Sequence, residues 1–144
     1  MASPTKNINQ KKIAMISPDP SLINMAKSAI GADEETVFVS LQKAIGELGS
    51  EVRDFDCNAL IVDLDAANVS DFEELQKIKR MVGPSVALIV ISENFTPAAA
   101  RILIQLKVSD FLVKPLQTSD LVRACNNALK TTGEETQVEP QFLT

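Results

Sequence analysis

The sequence predicts an α/β protein: one domain built on a parallel sheet with helices on both of its faces. Strand-like apolar runs alternate along the chain with amphipathic segments of helical period. Four of the five runs are nearly continuous in apolar residues, as strands buried on both faces are. With 144 residues, 45% of them hydrophobic and 23% charged, the chain is sized for one domain with its own core.

The runs are Lys12 to Ser17, Thr36 to Ser40, Ala59 to Leu64, Val86 to Ser92 and Asp110 to Val113. Helical segments follow them, starting near Pro20, Leu41, Ser70, Pro97 and Thr118. Asp19-Pro20 and Thr96-Pro97 each set a capping side chain before a first-turn proline, and Ser70 with Glu73 has capping-box spacing. Ile23, Ala26 and Ile30 fall on one stripe, as do Phe72, Leu75, Ile78 and Val82, and Leu121 (or Val122), Cys125 and Leu129. The second helix, Leu41 to Leu48, is short and weakened by Gly46 and Gly49, and Glu51 to Asn58 reads as a loop. Right-handed crossovers between such units give a doubly wound (βα)5 sheet covered on both sides. The domain is expected over 11–130, between polar, flexible ends at 1–10 and 131–144.

Composition removes several functions. Histidine is absent, which excludes triads that use a histidine base. Cys57 and Cys125 are too few for a disulfide framework or a four-thiolate zinc site, and each reads as a small apolar residue. A net charge of −5 argues against nucleic acid or an anionic membrane as partner, and six Phe without Trp or Tyr offer little for base stacking. No apolar run approaches the ~20 residues that cross a bilayer, and Met1 to Gln10 has no secretory pattern, so the expected location is cytoplasmic. No enzyme is expected, since no paired nucleophile and base are found.

In open α/β sheets ligands sit outside the carboxyl ends of the strands. The first strand-to-helix turn here is Ser17-Pro18-Asp19-Pro20, without the glycines of a dinucleotide site, and no Walker-type Gly-Lys-Ser/Thr occurs. The remaining strand ends carry Asp63, Ser92, and Phe111 with Lys114-Pro115. This order, with the run Val108-Ser-Asp-Phe-Leu-Val-Lys-Pro115, resembles the response-regulator receiver (CheY-like) domain of two-component signalling over Lys12 to Lys130. The resemblance implies the flavodoxin-like strand order 2-1-3-4-5. It also implies that Asp63 is the phosphoacceptor, that Ser92 and Lys114 contact the phosphoryl group, that Phe111 changes rotamer with Ser92, and that Pro115 follows a cis peptide.

A receiver uses Mg²⁺ to neutralise the charge between acceptor and phosphate. Its ligands are two adjacent acids after the first strand, the acceptor, and a carbonyl two residues beyond it. Ser17 and Pro18 stand at the acid-pair positions, so two carboxylates are missing. Beside Asp63, the remaining metal candidates are Asp19, whose expected role is to cap the first helix, and Asp65, expected as a solvated loop acid. With the acid pair gone, Asp63 is the one obvious anion for Lys114, and a standing Asp63–Lys114 ion pair is expected.

Arg101 to Pro115, followed by Asp120-Leu-Val-Arg-Ala-Cys125, is similar to the atypical receiver at the N-terminus of TadZ/CpaE pilus-assembly proteins, which often lack the acid pair. In the fourth helix Ala99, Ile102, Leu103 and Leu106 suit the sheet, while Ala100, Ile104 and Val108 widen the stripe. Two readings follow. The first is a phosphorelay receiver served by a histidine kinase or small phosphodonor. The second is a phosphorylation-independent module that binds a protein partner, or a second copy as a homodimer, through the fourth helix, fifth strand and fifth helix in pilus assembly or localisation.

Overall fold

A computed structural model describes residues 11–32, 34–49, 51, 52 and 55–133. Of the ends expected to be flexible, 1–10 and 131–144, residues 1–10 and 134–144 lie outside the described residues. Five parallel strands form one sheet in the order β2-β1-β3-β4-β5. They are β1 (Lys11–Ile16), β2 (Thr36–Leu41), β3 (Ala59–Asp63), β4 (Ala87–Ser92) and β5 (Asp110–Val113). The helices are α1 (Pro20–Ile30), α2 (Val69–Val82), α3 (Pro97–Gln105) and α4 (Thr118–Gly133), the last continuing past the expected domain end at 130.

Two expectations are corrected. The predicted helix from Leu41 to Leu48 does not form: β2 runs through Leu41, and a single 3-10 turn spans Ile45–Glu47. Gly46 weakens a helix here, and eight residues offer few intrahelical bonds to offset the cost of nucleation. Ile45 is buried all the same and Leu48 packs beside it, so the apolar pattern serves the core without a helix. The cap of α2 is Asn68 rather than a Ser70/Glu73 box: the Asn68 side chain accepts from the Ser70 N–H at 2.9 Å, which places Ser70 inside the first turn. Asn68 is held in extended geometry by its own N–H bond to the Asp65 carbonyl, and asparagine caps as well as serine does.

Strand side chains alternate between two cores, as a period of two requires. Ile13, Met15, Ala59, Ile61, Ile89 and Ile91 pack against α1 and α4. Ala14, Ile16, Leu60, Val62, Leu88 and Val90 pack against α2, α3 and the segment around Ile45 and Val52. Burying each large aliphatic side chain contributes about 1.5–3 kcal/mol, so the three central strands carry much of the folding energy. That rigid centre fixes where β1, β3 and β4 end.

Candidate functional site at the strand ends

The site follows from register. Ile16 of β1 pairs with Val62 of β3, so one further step brings Ser17 beside Asp63. Asp63 pairs with Ile91, which sets Ser92 next along β4. Ser92 pairs with Val113, and its carbonyl accepts the Lys114 N–H at 2.9 Å, anchoring Lys114 just past β5. Three adjacent strands and an edge strand thus bring Asp63, Ser92 and Lys114 to one cleft, with Ser17 buried beneath it against Asp63.

Asp63 is the centre of the arrangement. Its side chain is only 4% exposed, and both of its oxygens have partners. Lys114 Nζ lies 2.9 Å from Oδ1, the pairing the sequence suggests. Ser17, fully buried, donates its hydroxyl to Oδ2 at 2.7 Å and accepts the Asp19 N–H at 3.0 Å. A carboxylate at this depth requires such partners, and a hydrogen bond to a charged group is worth about 1.5–3 kcal/mol.

The other acids turn elsewhere. Asp19 caps α1, accepting the Ser21 N–H at 2.9 Å. Asp65 is exposed and accepts the Ala67 N–H, while its own N–H donates to Asp71 and its carbonyl accepts from Asn68. Ser92 is buried and its hydroxyl accepts the Ala66 N–H at 3.0 Å, tying the loop after β3 to the end of β4. The Lys114–Pro115 peptide is cis. Phe111 meets Phe95 edge to face, with ring centroids 5.0 Å apart. Pro18, Asp19, Asp63, Asp65, Ser92 and Lys114 help line a cleft of about 340 Å³.

Sequence reasoning placed Asp63, Ser92 and Lys114 together but missed Ser17 as a hydrogen-bond donor and Phe95 as the partner of Phe111. Ser17 is legible as the end of the first predicted strand, one residue past β1; its bond to Asp63 needs the β1–β3 register. Neither cysteine joins the site. Burial pushes the Cys125 thiol up to about 12, and burial, opposed by Lys12, pushes Cys57 up to about 11.

No protein-family model matches the chain, and no curated protein sequence matches it. Solved structures do. The chain is similar to a response regulator receiver domain protein (CheY-like) from Methanospirillum hungatei JF-1, with TM-score 0.74 and 16% identity, over 88% of this chain and 98% of that one. It is similar to a pilus assembly protein (CpaE) from Burkholderia thailandensis E264, with TM-score 0.68 and 18% identity, over 84% and 99% of the two chains. A pilus assembly-related protein from Burkholderia pseudomallei K96243 aligns with TM-score 0.68 and 18% identity, over 86% and 90%. At these identities the likeness is one of fold. No helix among the described residues is long and apolar enough to cross a membrane. From strand order, cleft and structural likeness together, the chain has the CheY-like receiver fold that response regulators and CpaE-type pilus-assembly proteins share.

Proposed function

We propose that the chain is a phosphorylation-independent receiver-fold module that binds a protein partner. The observation that carries this reading is the closure of Asp63: Ser17 holds one carboxylate oxygen and Lys114 the other. The donor set does not fit Mg²⁺. That ion takes a near-octahedral shell of oxygens, often including one or two carboxylates. Ser17 and Pro18 bring no carboxylate, Asp19 is spent on its cap, and the Asp65 carbonyl closes a turn. Packing of Phe111 against Phe95 supports a single arrangement at the fifth strand. The partner surface is the one containing α3, β5 and α4, where Ile104 is 67% and Val113 53% exposed. A role in pilus assembly fits the descriptions of two of the matched structures, and a cytoplasmic location and a part in protein localisation belong to the same proposal. The reading assigns the chain no enzymatic reaction and no nucleic-acid partner.

The phosphorelay reading has one observation in its favour: Asp63, Ser92 and Lys114 all line the same cleft. Incubation with acetyl phosphate and Mg²⁺, followed by intact-mass measurement, separates the two. The expected result is an unchanged mass. A phosphoryl adduct on the wild type that Asp63→Ala lacks would overturn the proposal in favour of phosphorelay.

A further inference from the structure

We infer that Ser17 and Lys114 together stand in for a divalent cation, so that the strand ends are clamped by protein groups and the Asp63 site does not respond to Mg²⁺. The inference rests on the phosphorylation-independent reading and names how that state is held. A cation at the ends of β1 and β3 would gather oxygens from both and so join the two loops. Here Ser17 Oγ makes that join itself, donating to Asp63 on β3 and accepting the N–H of Asp19, which caps α1. Lys114 supplies the positive charge and extends the clamp to β5, whose end is tied to β4 through the Lys114 N–H and the Ser92 carbonyl. Ser92 closes the circuit by accepting from Ala66 in the loop after β3.

The charges agree with the geometry. Asp63 and Lys114 neutralise each other inside the site. An incoming Mg²⁺ would have to break the Ser17 bond and share the Asp63 carboxylate with the Lys114 ammonium, with no acid pair to hold it. Ser17 is fully buried, so in this arrangement its hydroxyl has no solvent contact to replace the bond to Asp63. It is a positioning residue: it fixes the Asp63 carboxylate and occupies the place of a metal ligand.

Titration with magnesium chloride, followed in the amide NMR spectrum of the whole chain, tests this. The wild type is expected to show no saturable shift at residues 17, 63, 65 and 114; a saturable shift there overturns the inference. The Ser17→Asp/Pro18→Asp double variant is expected to gain such shifts. A folded double variant that stays silent also overturns it, because the missing carboxylates would then not decide metal binding. Should the double variant fail to fold, the wild-type titration still decides. A wild type that binds Mg²⁺ yet takes no mass from acetyl phosphate removes the clamp and leaves the binding-module reading standing. A phosphoryl adduct on Asp63 removes that reading itself.

Discussion

Asp63 and Lys114 are unequal partners. The carboxylate side chain is 4% exposed and the lysine side chain 29%, so removing one is not like removing the other. Lys114→Met strands a buried anion with only the Ser17 hydroxyl for support, at an expected cost of roughly 2–3 kcal/mol. Asp63→Asn leaves Ser17 a bonding partner and frees an ammonium that can reach water, so its cost should stay within about 1 kcal/mol. Urea denaturation of the two variants checks the order, and an Asp63→Asn loss as large as that of Lys114→Met would contradict it. Both residues were legible because a charge ending an apolar run demands a partner, whereas neutral Ser17 gives no such signal until the strands are in register. The cysteines yield a pH prediction. Burial raises Cys125 to about 12 and Cys57 to about 11 from 9.0, so well below pH 9 both are neutral in either state. As pH rises through these values the unfolded thiols ionise first, unfolding releases protons, and stability falls. Lysines titrate over the same range, so the comparison with a Cys125 variant is what isolates the thiol. Stability measured from pH 8 upward should drop, and Cys125→Ala should flatten the slope.

Among the elements, the end of α3 carries a local conflict. The Val108 N–H bonds to the Leu103 carbonyl and the Lys107 N–H to the Ile104 carbonyl, the paired bonds of a Schellman cap. Lys107 therefore takes φ 61°, a left-handed conformation that favours glycine. Lys107→Gly should stabilise by up to about 1 kcal/mol, read as a rise in thermal midpoint; a fall would show that the lysine side chain contributes more than its backbone costs. At the start of α2, Asn68→Ala should cost about 1 kcal/mol, because the Ser70 N–H loses its acceptor. The strands were readable to within a residue since their apolar runs are continuous and their ends polar. Leu41 to Leu48 misled because Leu41, Ile45 and Leu48 have helical spacing, although the structure uses β2 and a 3-10 turn to bury much the same side chains.

For the whole molecule, the two cores saturate the faces of the sheet and leave few large apolar side chains to solvent. Among the described residues the exposed large hydrophobics are Val69, Ile104 and Val113. Ile104 sits on α3, the connection into β5, and Val113 ends β5, an edge strand of the sheet, so two of the three lie on the proposed partner surface. Leu103, the neighbour of Ile104, is fully buried against the sheet, and Ile104 therefore points away from the core that holds α3 in place. A charge at position 104 should leave folding almost untouched, within about 0.5 kcal/mol. If the surface joins two copies of the chain, the same charge placed twice across a symmetric contact repels itself. Sedimentation velocity over a concentration series then gives a wild type whose mass rises with concentration and an Ile104→Glu variant that stays at the monomer mass with an unchanged thermal midpoint. Identical masses for both at every concentration would remove the homodimer and leave the surface to a different protein; a lowered midpoint would show instead that Ile104 supports the fold.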